Sequence, residues 1–171
     1  AGVLFMLTFN WLRRLLRPLQ EQFVLRSVIG GLGLGIAGAL LPLTLFSGEK
    51  ETLDLIAHTA EIGVVLLIGM ALVKLLVTAL LLASGWKGGY IFPIMFSGVA
   101  LGMALSLLFP GIPVPVAVAA TMAGVLVAAL KAPLFAALFT LALVQKETGA
   151  VIAIAVVVSA LLTALLALWN A

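Results

Sequence analysis

The chain has no cysteine, one histidine and one tyrosine, and only 9% of its 171 residues are charged. Without cysteine there are no disulfides, no thiol chemistry and no thiolate metal sites, and the redox compartment is left open. One histidine and serines without charged companions do not supply the nucleophile, base or metal cluster that an intramembrane enzyme needs. No enzymatic activity and no cofactor are expected. The shortage of charge excludes more: at 65% hydrophobic residues and a mean hydropathy of +1.38, too little polar surface is available for a soluble globule. The first residues also lack the charged, apolar and small-residue order of a cleavable signal peptide, and no methionine opens them. The sequence is therefore expected to be an excerpt of a longer chain or a processed product.

What is present is long, continuous apolar sequence. In hydrocarbon every backbone N–H and C=O must be satisfied within the protein, which leaves helices or closed barrels. Continuous rather than alternating runs exclude the barrel pattern. The expectation is an all-α, polytopic membrane bundle forming one domain over residues 1–171, a multi-pass protein whose first partner is the lipid bilayer. At about 20 residues per spanning helix there is room for six or seven segments, some too short to cross. The formal charge of +3 then reports topology rather than a nucleic-acid partner.

Residues 2–12 are apolar and lead into Arg13, Arg14 and Arg17, with Arg26 following Gln20-Glu21-Gln22. Four arginines between two membrane segments mark that side as cytoplasmic. Residues 23–46 form a glycine-rich segment in which Gly31-x-x-x-Gly35 offers close helix packing. Charges at Glu49, Lys50 and Glu51 end it on the opposite side, before a short helix from about Thr52 to Ala60. Asp54, His58 and Glu61 share one face of that helix and have the residue types for a metal or a proton relay. Beside an aqueous loop, a solvated face is the preferred reading, and no metal site is assigned. A spanning segment follows over 62–84 with Lys74 near its middle, where an ammonium needs a carboxylate, backbone carbonyls or water. The Pro110–Pro115 stretch breaks the chain, and segments 116–130, 133–145 and 149–169 complete it. Half-length helices interrupted by Gly and Pro are the pattern of transporters with sites near the midplane, so broken and re-entrant helices are expected.

The stretch from Gly85 to Pro93 carries the chemistry. Gly88 and Gly89 have access to backbone conformations closed to other residues and leave their amides uncovered. Pro93 suits the first turn of the next helix, where its missing N–H is no loss. A helix starting there turns free N–H groups and the positive end of its dipole toward an anion. Chloride, large and weakly hydrated, suits such donors because they bind it without holding it. On this motif alone, a plain loop before a helix is an equal reading.

Ser84-Gly85-x-x-Gly88-Gly89-Tyr90-Ile91-Phe92-Pro93, then Gly98-x-x-x-Gly102, Gly124 and Lys131-Ala132-Pro133-Leu134, resembles in order and spacing the CLC chloride channel and transporter family. Pro42 with Ser47-Gly48 falls where that family has a Pro…Ser-Gly pair. The resemblance spans nearly the whole chain and implies the second of two inverted repeats. It implies chloride as the transported partner, the first repeat of the same protein as the other half of the pore, and a homodimer through the last two segments. It also implies a prokaryotic-type plasma (inner) membrane location. Carried over, the backbone amides of Tyr90 and Ile91 are similar to those that touch the central anion, and Gly88, Gly89, Phe92 and Pro93 shape the filter turn and helix start. Lys74 and Lys131 match family arginines and are expected to be structural cations. Ile91 stands where phenylalanine is usual, and the family's other filter turns, gating glutamate and late tyrosine are absent. Glu147 is the nearest acidic group in the second half, in a loop where a solvated charge is expected. Channel and proton-coupled exchanger therefore stay open, as do a fluoride-selective relative and a non-conducting scaffold half.

Overall fold

The computed structural model describes residues 1–45, 52, 55, 59–144 and 146–169, and these form helices and connecting turns with no strand among them. Seven α-helices follow one another among the described residues: α1 Gly2–Leu15, α2 Phe23–Leu40, α3 Thr59–Ala83, α4 Ile91–Leu108, α5 Val114–Leu130, α6 Pro133–Leu143 and α7 Gly149–Trp169. Four are long and apolar enough to cross a membrane: α2, α3 from Ile62 onward, α4 and α7. At 14, 17 and 11 residues, α1, α5 and α6 are the short pieces.

The segment boundaries have local causes. α1 runs past residue 12 and takes Arg13 and Arg14 into its last turn, where cations meet the negative end of the helix dipole. α2 stops at Leu40, short of the expected 46, because Pro42 has no N–H to continue the ladder and holds Leu41 extended at φ −137°, ψ 79°. Inside α3, Gly63 at φ 74°, ψ 162° interrupts the helix, so the spanning part starts after it. α5 begins at Val114, two positions ahead of expectation, since Pro115 fits a first helical turn without loss. α6 ends at Leu143. Thr52 and Leu55 are helical; Asp54 and His58 lie outside the described residues, as does the side chain of Glu61.

α4 is the centre of the molecule. Every residue from Pro93 to Ala100 is buried, and so are Gly102, Met103 and Ala104. α3 lies against one side of it and α5 against another. The α4–α5 crossing is set by glycine: a Cβ on Gly98 would stand 2.8 Å from the Met122 Cα, and one on Gly102 would stand 2.5 Å from the Val118 Cα. No side chain fits there, so the backbones touch. The Thr121 hydroxyl fastens the crossing by donating to the Gly98 carbonyl at 2.8 Å. On the far side of α5, the Ser159 hydroxyl of α7 donates to the Gly124 carbonyl at 2.8 Å.

α1 crosses α3 and α5, and α2 rests on α3. That second contact corrects the expectation for Gly31-x-x-x-Gly35. The close approach runs through Gly30, against Ser84 and Trp86, and Gly33, against Leu80. Gly35 has nothing within 4 Å. Successive helical residues point about 100° apart, so the neighbour's position selects which glycines are used. Outward, α2 shows Val24, Leu32, Ile36 and Leu40, and α7 shows Ile154, Val157, Leu161 and Leu165.

Candidate functional site

The site is built where α3 ends and α4 begins. Gly85 takes φ +87°, its N–H bonds the Leu82 carbonyl, and the Trp86 N–H bonds the Leu81 carbonyl, both at 3.1 Å. This left-handed closure satisfies the last carbonyls of α3 and sends the chain back. Two contacts from α2 hold it: Arg26 Nε donates to the Ser84 carbonyl at 3.0 Å, and the Trp86 indole N–H donates to the Ser27 carbonyl at 3.1 Å. The left-handed residue is thus Gly85, whereas Gly88 and Gly89 do not use positive φ. Their contribution is bareness, since nothing lies within 4 Å of where a Cβ would stand on either.

Tyr90 caps α4 with its backbone at φ −107°, ψ −1°, and no side chain caps the helix. The first bond of the turn runs from the Ile94 N–H to the Tyr90 carbonyl at 3.1 Å. The amides from Gly88 to Phe92 have no hydrogen-bond partner among the described residues, and Pro93 has no N–H to satisfy. A row of free donors at the positive end of a buried helix is the arrangement that attracts an anion. The flanking aromatic rings fix the row: Tyr90 stacks on buried Phe5 of α1 with centroids 6.5 Å apart, and Phe92 meets Phe139 of α6 edge-on at 6.3 Å. Ile91 between them is half-buried against the core.

Behind the turn, a cleft of about 140 Å³ is lined by Lys74, Thr78, Gly88, Gly89 and Pro93, with Thr44 at its wall. Lys74 is 2% exposed. Its ammonium donates to the Thr44 carbonyl and the Leu45 carbonyl, each at 2.9 Å, and lies 5.4 Å from the centre of the Phe96 ring. The Pro42 break supplies these carbonyls by ending α2 beside the middle of α3. Lys131 stands elsewhere. It is exposed, and at φ 54°, ψ 29° it is the left-handed C-cap of α5. The structure therefore brings Lys74 to the Gly88–Pro93 turn and leaves Lys131 apart. Glu147 is exposed in the turn before α7, and among the described residues no group of three metal-binding side chains forms.

Sequence reasoning did not find Arg26 and Phe5 as supports of the turn, nor the carbonyls that receive Lys74. Pro42, which frees those carbonyls, was the available signal.

The profile of a family described as voltage gated chloride channel matches residues 1–165. Proteins of Salmonella newport, Salmonella agona and Salmonella typhimurium, named for a proposed ion-transport role (YfeO), are 38% identical to this chain over 106 residues, 61% of its length. The matched region spans about a quarter of each relative, 25%.

Proposed function

The chain belongs to the voltage gated chloride channel family, and from that premise we propose that this multi-pass, ion-transporting membrane protein carries chloride, with the central anion held by the backbone amides of Tyr90 and Ile91. The observation that carries the reading is the unbonded row of amides at the start of buried α4. Gly88 and Gly89 leave approach to that row open, and Pro93 and Phe92 shape the helix start. Backbone donors suit chloride because they replace its water without the full charge that would trap it. Lys74, tied to carbonyls, acts as a structural cation of the cleft wall, and Lys131 as one at the end of α5.

In this reading the chain is the second inverted repeat of a two-repeat protein, and the first repeat supplies the rest of the pore. Copies pair into a homodimer through α6 and α7, whose outward apolar faces favour a helix partner, in a bacterial inner membrane. A scaffold half that packs without conducting shares these contacts but does not need the free amides. Passive and proton-coupled transport use the same anion site, and so would a fluoride-selective relative.

The test is Ile91→Pro in the full transporter, reconstituted into liposomes for chloride efflux and titrated with chloride in detergent. Proline at 91 removes one donor N–H and also disfavours the ψ of −1° at Tyr90 before it, so Ile91→Ala, which keeps the N–H, is measured beside it. Efflux and chloride binding are expected to fall by roughly tenfold or more in Ile91→Pro and to hold in Ile91→Ala, the loss of one charge-assisted bond being worth about 1.5–3 kcal/mol. Unchanged efflux and affinity in Ile91→Pro would refute the assignment.

A further inference from the structure

The last turn of α1 and the turn that follows gather Arg13, Arg14 and Arg17, with Asn10 and Gln20, around an open concavity of about 520 Å³. All five side chains are exposed or largely so. None of the three guanidinium groups has a hydrogen bond or ion pair among the described residues. Arg26, by contrast, is committed to the Ser84 carbonyl. The space is far larger than a chloride ion and suits a polyatomic anion carrying a substituent. A guanidinium presents paired N–H donors in a plane, which match two oxygens of a phosphate.

The surroundings set the depth of this concavity. Trp11, 61% exposed, and Leu7 and Leu15, both exposed, flank it on α1, and Phe23, Val24 and Leu25 face outward where α2 begins. An outward tryptophan at the basic end of an apolar helix marks the membrane–water boundary. Basic pockets at that level on the cytoplasmic side receive lipid head groups. We propose that Arg13, Arg14 and Arg17 form a site for the phosphate ester of an anionic membrane lipid, with Asn10 and Gln20 on its polar substituent. The site is separate from the Gly88–Pro93 turn and does not depend on chloride being the transported ion. If the arginines only set topology, they do not discriminate between lipids of different charge.

The experiment equilibrates the purified protein in detergent with equal amounts of phosphatidylglycerol and phosphatidylcholine, and counts retained lipid by native mass spectrometry. Wild-type protein is expected to retain phosphatidylglycerol by roughly tenfold or more over phosphatidylcholine. The R13Q/R14Q/R17Q variant is expected to retain both alike, and R13K/R14K/R17K to keep part of the preference, with charge but no planar fork. Equal retention by the wild type, or an undiminished preference in the glutamine variant, overturns the proposal. Should the triple variant misfold by circular dichroism, the single variants R14Q and R17Q replace it; each is expected to lower the preference, and no change in either overturns the site. Millimolar inorganic phosphate is expected to leave phosphatidylglycerol bound, and complete displacement would overturn the membrane lipid as its ligand.

Discussion

α4 and α7 are both apolar over an 18-residue window, yet 61% of that window is buried in α4 and 11% in α7. Hydrophobicity does not separate them, because lipid is as good a solvent for leucine as the protein interior is. What separates them is the residues that allow backbones to meet. α4 spends Gly98 and Gly102 on contact with α5, while α7 touches α5 along one face that includes Ser159 and turns Ile154, Val157, Leu161 and Leu165 outward. A central helix is thus defined by small residues and by carbonyls reached by hydroxyls. The peripheral helix keeps large side chains for lipid or another chain.

The hardest test of that contrast is Gly102→Leu. Its side chain would collide with the Val118 backbone and the Thr121 hydroxyl, and overpacking against backbone should cost about 3 kcal/mol or more, read as loss of folded protein in a thermal or denaturant assay in detergent. Equal tolerance of leucine at Gly102 and at an outward α7 position would break the comparison. Lys74→Met comes next, since the Thr44 and Leu45 carbonyls both lose a donor; about 2 kcal/mol of destabilisation is expected, while Lys74→Arg should restore most of it. Thr121→Val removes the tie to the Gly98 carbonyl, for which about 1 kcal/mol is expected in a membrane setting, and Ser159→Ala should cost about 0.6 kcal/mol by the same measure. The smallest destabilisation belongs to Gly35→Ala, on the outward side of α2 with nothing within 4 Å. It should be neutral or stabilising by up to about 1 kcal/mol through helix propensity; a loss there would mean that the face is packed against a partner.

Much of the fold was legible because its signals are local. Continuous apolar runs gave the membrane helices, and the Pro110–Pro115 stretch and Pro133 fell at expected breaks, whereas the break at Pro42 inside the expected 23–46 segment did not. The resemblance and the Gly-Gly run before Pro93 pointed to the same turn that the structure builds between α3 and α4. Its internal division was not legible. Two of its glycines stay at ordinary φ while Gly85 turns left-handed, because which glycine closes α3 depends on where the last carbonyls of that helix are met. Likewise the α2 sequence offers glycine on several faces, and only the position of Leu80 and Ser84 selects Gly30 and Gly33 over Gly35. The 54–61 acidic face lies outside the described residues.

By itself the sequence determined the solvent, the helical secondary structure and most of the breaks, since the demand that every backbone group be satisfied in lipid acts on each segment alone. It also determined that a helix begins just before Pro93 with free donors, because proline and bare glycines dictate this locally. Only the tertiary structure decided which helix is central, which glycines touch, and that Lys74 is held by the Thr44 and Leu45 carbonyls beside the turn. Those choices depend on residues of separate helices meeting in space, and among helices of equal hydrophobicity the partner is chosen by shape and by hydrogen bonds rather than by apolar pattern.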